Sequence, residues 1–218
     1  MFSRSLQTWR LASNDKYRSR LDQSEQMFYK LEDRLLNFLE YIPFYIKHLE
    51  VYSDKLVTII LEVDPEIFND FDLAIFYEQE QGSIDSAIMQ ARKQLLNKEK
   101  KLRKNRKSLT FKAYYDFLNT YPHTKISSAI IGLSTFHAYV MPFEQVKSDW
   151  WDSYNDLRHN KYTHLKHATL RNAIASLAAL YWLVHTNIER SARTVDDYLS
   201  SELFYEASDE YEQNSYKL

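Results

Sequence analysis

The stretch from residue 150 to 184, WWDSYNDLRHNKYTHLKHATLRNAIASLAALYWLV, decides the class of fold. In its second half Leu170, Ile174, Leu177, Tyr181 and Val184 recur every three or four residues. That is the period at which side chains line one face of an α-helix. Ala173, Ala175, Ala178 and Ala179 leave little bulk beside this stripe, so a neighbouring helix can approach closely. In the first half Trp151, Tyr154, Asn155 and Arg158 stand at i, i+3, i+4 and i+7 and share a second helical face. The reading is therefore helix, short polar connection, helix, with Thr163 or Thr169 placed to cap the second.

The same period extends outward. Tyr17, Leu21, Phe28, Leu31, Leu35, Phe38 and Leu39 form one helical face, with Ser13, Asn14 and Asp15 offering caps before it. Pro43 interrupts, and a second helix is expected over 45–60, stopping at Asp64-Pro65. The two form a long antiparallel hairpin. A shorter helix is expected over 66–80. Ser83 can cap the next, which runs from residue 84 through a basic stretch, and Ser108 caps one over 111–118. Residues 127–139 are mixed: Ile130, Ile131 and Val140 permit a strand, but their neighbours offer no partner, so a short helix is expected. Pro142 suits the first turn of the helix that ends near Arg158. The fold class that results is all-α: a helical bundle in one domain, with an N-terminal hairpin region at 1–82, a core at 83–195 and an acidic tail at 196–218.

Composition narrows the function classes. The 218 residues include no cysteine, which excludes disulfides, thiolate metal sites and cysteine nucleophiles. The only glycines, Gly82 and Gly132, cannot build a phosphate-cradling loop. Net charge is −2, yet nine of the sixteen residues at 92–107 are Lys or Arg, and the C-terminal stretch is acidic. The basic stretch lacks the interleaved aromatics that stack bases, so it reads as a solvated helix more readily than as an RNA guide. The N-terminus has no apolar signal region, and the apolar run at 173–184 is shorter than the ~20 residues of a membrane span. A cytoplasmic location without membrane attachment is expected.

Chemistry concentrates where the two quoted helices meet. Arg158 ends the first, and His159, Asn160, Lys161, His164 and His167 follow within ten residues. Arginine binds phosphate oxygens in a bidentate fork, and a histidine titrating near neutrality takes or gives a proton. Together they suffice to cleave RNA without metal, the arginine stabilising charge on the phosphoryl oxygens. Arg158, His164 and His159 are the catalytic candidates, and Tyr154, Asn155, Asn160 and Lys161 the substrate-binding ones. The alternative is a structural polar cluster. Tyr154 and Asn155 then bridge helices, and His167 and Lys161 are solvated. Trp150 and Trp151 read as core or interface anchors. No carboxylate joins His159, His164 and His167 at helical spacing, and HExxH is absent, so neither a metal nor another cofactor is expected.

This stretch resembles the HEPN superfamily of helical-bundle proteins. Its ribonucleases carry an arginine, a polar residue directly after it, and a histidine four to six residues on. Arg158, His159 and His164 stand in that order here, with WWDSYN before and HATLRNAIASLAAL after. The resemblance covers the last third of the chain. It implies a homodimer whose two motifs face one cleft, metal-independent endoribonuclease activity on RNA, and a toxin or antiviral-defence setting with an antitoxin or other partner protein. Members silenced by nucleotidylation carry a tyrosine two residues after the histidine; Lys166 stands there in this chain. The rival function is a non-catalytic helical module that binds RNA, nucleotide or a protein at the same cleft.

Overall fold

The structure is a computed structural model. It describes the backbone of residues 3–81, 86–105, 109–118, 129–133, 136–143, 148–190, 199–206 and 216–218. Helices take up 74% of the described residues, so the expected helical bundle is present. α1 (Ser3–Leu39), α2 (Asp54–Gln81) and α6 (Leu170–Arg190) pack on one another, and α5 (Asp149–Asn160) lies against α2 and α6. α3 (Ser86–Lys104) pairs with α4 (Phe111–Leu118). One continuous apolar core joins them: Leu21, Leu31 and Leu35 from α1, Ile60 and Ile67 from α2, and Leu177, Leu180 and Val184 from α6 are all buried. The N-terminal hairpin thus shares its core with the C-terminal helices. Among the described residues no helix is long and apolar enough to cross a membrane.

Several element boundaries differ from the sequence reading, each for a physical reason. α1 is already helical at Ser3, so Ser13–Asp15 lie inside it, away from its start. No α-helix covers 45–53; the chain makes one 3-10 turn at Ile46–His48 before α2. The carbonyls of Leu49 and Val51 instead accept from the backbone N–H groups of Arg171 (2.9 Å) and Leu170 (2.8 Å). This satisfies donors at the start of α6 that have no partner inside that helix. α2 begins after Ser53, whose Oγ accepts from Leu56 N–H, and then runs straight through Pro65. A proline there forfeits one N–H bond, whereas Leu56, Ile60, Val63, Ile67 and Phe71 keep one buried stripe across it. Burial of that stripe outweighs the lost bond.

Residues expected as a short helix form a β-hairpin, β1 (Ala129–Leu133) with β2 (Phe136–Val140). Contrary to the expectation, the neighbouring residues do supply a partner, Ile130 lying opposite Tyr139, and the outer edges are filled from the far end of the chain. β3 (Phe204–Glu206) pairs with β1, and β4 (Tyr216–Lys217) runs parallel to β2, giving the order β3-β1-β2-β4. Of the stretch expected as an acidic tail, the described residues are therefore built into the fold: Leu199, Leu203 and Phe204 are buried. Glu32, itself buried on α1, accepts from Leu203 N–H (3.1 Å) and from the Ser201 hydroxyl. Pro142 precedes α5 and does not start it; Ser148 occupies the N-cap position, and the Pro142 carbonyl accepts from Trp150 Nε1 (2.9 Å). Ser83 and Ser108, read as caps, lie outside the described residues. On α3 Lys93, Lys98, Lys100, Lys101 and Lys104 are exposed while Leu95 is buried, as a solvated helix face requires.

Candidate functional site

α5 is fixed by its aromatic side. Trp150 is buried, and Trp151 stacks on Phe111 of α4 (4.4 Å between ring centroids) and on Tyr154 one turn on. Trp150 is thus a core anchor, and Trp151, partly buried, packs against that core. The far side of α5 is held by Asn172 of α6. Its Nδ2 donates to Ser153 Oγ (2.7 Å) and to the carbonyl of His167 (2.9 Å), and its backbone N–H reaches Thr169 Oγ1 (3.2 Å), one of the two caps expected for this helix. One buried amide therefore joins α5, the histidine-bearing turn Leu165–His167 and the start of α6.

Two polar groupings follow along α5. Arg158 is exposed at its C-terminal end, where a cation favours the helix dipole. Beneath it Asp64 of α2 is 1% exposed, and among the described residues neither of its oxygens meets a donor at full hydrogen-bond distance. Burial pushes the Asp64 carboxyl up from 3.8 to about 7, against the Tyr154 hydroxyl and the Arg158 guanidinium, which both favour its charged form. The Tyr154 phenol is raised in turn, first by burial and then by the Asp64 charge, and Arg158 pulls the other way. Tyr154 is buried, so it positions neighbours and does not present itself to a ligand.

The second grouping is Asp156 with His164 and His167. His167 Nδ1 stands 2.8 Å from Asp156 Oδ2, the ring N–H donating, and His164 Nδ1 lies 4.0 Å from the same oxygen. The two rings are 5.4 Å apart between centroids. Ligand atoms of the three residues lie within 4.8 Å of one another, so the turn brings together a carboxylate and two imidazoles that sequence spacing kept apart.

Of the remaining sequence candidates, His159, Asn160 and Lys161 are exposed. Asn160 Oδ1 accepts from the N–H groups of Tyr162 and Thr163 and so shapes the turn. Lys161 Nζ lies over the Tyr162 ring (5.0 Å). Asn155 Nδ2 donates to the Trp151 carbonyl on its own helix. Positions 156 and 158 are about 200° apart around a helix axis, which separates Arg158 from the Asp156 cluster. Sequence reasoning missed Asp64, Asp156 and Asn172. Only Asp156 carried a local signal, as a carboxylate three residues before His159.

Comparison with protein-family models, with curated proteins and with solved structures gives no match.

Proposed function

We propose that the chain is a HEPN-like, metal-independent endoribonuclease that works as a homodimer, with Arg158 and His164 at its centre. The observation that carries this reading is the α5–α6 junction, where an exposed arginine ends one helix and His164 stands 4.0 Å from Asp156. Asp156 fixes the neighbouring His167 ring by a 2.8 Å hydrogen bond and leaves the His164 ring, a third exposed, open to a substrate proton. In the reaction one imidazole removes the proton of an RNA 2′-OH, and the 2′-oxygen bonds to the adjacent phosphorus. The bond from phosphorus to the 5′-oxygen breaks, and a protonated imidazole gives that oxygen its proton. The products are a 2′,3′-cyclic phosphate and a 5′-hydroxyl. Arg158 stabilises the charge on the phosphoryl oxygens. The second imidazole is His167, 5.4 Å from His164 between ring centroids, or the second copy's His164 across the dimer cleft. His159, exposed on the turn, is better placed to contact phosphate. A toxin or defence setting follows from the resemblance.

One observation favours a second reading. Arg158 sits over Asp64 and Tyr154, and the histidines gather about Asp156 on another face of α5. A non-catalytic module that binds RNA, nucleotide or a partner protein needs no convergence of the two. The test is RNA cleavage in EDTA by wild type, Arg158→Ala and His164→Ala. Cleavage by the wild type alone supports the ribonuclease. Intact RNA with all three, while wild type and His164→Ala still bind it, supports the module.

A further inference from the structure

The geometry points to a divalent transition-metal site formed by Asp156, His164 and His167. A metal of this kind takes imidazole nitrogen at roughly 2.0–2.1 Å and carboxylate oxygen at roughly 2.0–2.2 Å. Ligands around one ion therefore stand about 3–4 Å apart, and here Asp156 Oδ2 is 2.8 Å from His167 Nδ1 and 4.0 Å from His164 Nδ1. Small side-chain rotations bring all three onto one ion. Two imidazoles and one carboxylate suit zinc, iron, nickel or copper better than magnesium or calcium, which prefer all-oxygen shells.

The scaffold is prearranged for this. Asp156 comes from the body of α5, while both histidines flank one turn whose backbone is pinned: His164 N–H donates to the Asn160 carbonyl, His167 N–H to the His164 carbonyl, and the His167 carbonyl accepts from Asn172. Each side chain is between a third and a half exposed, so further coordination positions open to water or to a ligand oxygen. A cation here occupies the ring nitrogens that face Asp156. On the ribonuclease reading above it withdraws His164 from proton transfer, so that zinc inhibits cleavage and EDTA restores it. The binding itself does not depend on that reading.

The experiment is calorimetric titration of Zn2+ into the full chain, stripped with EDTA and exchanged into chelator-free buffer, beside Asp156→Asn and His167→Ala. The expected result is one equivalent per chain for the wild type, with affinity weakened at least ~100-fold in both variants. Zn2+ should also raise the Tm of the wild type and not of Asp156→Asn, since only a folded site binds it. Absence of binding by the wild type, or equal binding by all three folded proteins, overturns the site. Stoichiometric binding without any RNA cleavage keeps the metal site and removes the ribonuclease.

Discussion

Replacing Asp64 with asparagine should make the protein more stable, by an amount that depends on pH. Asp64 is 1% exposed, and the Tyr154 hydroxyl and the Arg158 guanidinium offset the burial of its charge only in part. Its carboxyl ionises near 3.8 in an unfolded chain but holds its proton to about 7 in the fold, because burial disfavours the charge. A raised acid constant means that the folded state binds the proton more tightly, so the stabilising contribution is complete below about 3.8 and is lost as pH rises through 7. Each unit of difference corresponds to about 1.4 kcal/mol, which sets an upper bound of roughly 4–5 kcal/mol for the loss above pH 7. Asparagine keeps the shape and never ionises. Urea denaturation of wild type and Asp64→Asn from pH 4 to pH 9 should give nearly equal stabilities at the acid end. The advantage of the variant should then grow steadily and level off above pH 7. Asp70 shifts in the same direction, but it is common to both proteins and cancels in the difference. A difference independent of pH, or an asparagine variant less stable at pH 8, would refute the argument. The carboxylate also faces Arg158, so the same variant should lose any activity that needs Arg158 held in place, gaining stability while losing function.

Asn172→Ala should cost about 1–3 kcal/mol, because it leaves the buried Ser153 hydroxyl and the His167 carbonyl without their shared donor. Thermal denaturation measures the loss, and an unchanged Tm would mean that the amide does not hold the histidine turn to α5. Glu32→Ala should release the segment at 199–206, whose Leu203 N–H and Ser201 hydroxyl both rest on that carboxylate. Limited proteolysis should then cut near Ser201 faster than in the wild type, and equal rates would show that burial of Leu203 and Phe204 suffices.

How much of this was legible in the sequence follows from the range of each interaction. The stripe from Leu170 to Val184 and the Thr169 cap are local, and they read correctly. The halt at Pro65 was misread because a proline costs one hydrogen bond, whereas the buried stripe from Leu56 to Phe71 gains more by continuing. The strands at Ile130 and Tyr139 pair with each other, a local partner the reading overlooked, while the outer pairings to Tyr205 and Lys217 come from too far along the chain to be seen. The site divides the same way. Arg158 and His164 stood out within one short stretch, whereas His167, read as solvated, is held by Asp156. Asp64, from another helix, left no sequence signal. Asp156 stands three residues before His159 on α5, a helical spacing that the sequence reading overlooked, but only the turn at Leu165–His167, folding back toward α5, brings it to His164 and His167.

The most direct test of the ribonuclease reading uses the reacting atom itself. Wild-type protein in EDTA is given an RNA oligonucleotide and its counterpart with every 2′-hydroxyl methylated, and the product ends are analysed. The account predicts cleavage of the RNA alone, leaving 2′,3′-cyclic phosphate and 5′-hydroxyl ends. Cleavage of the methylated strand, or 5′-phosphate ends, would contradict it.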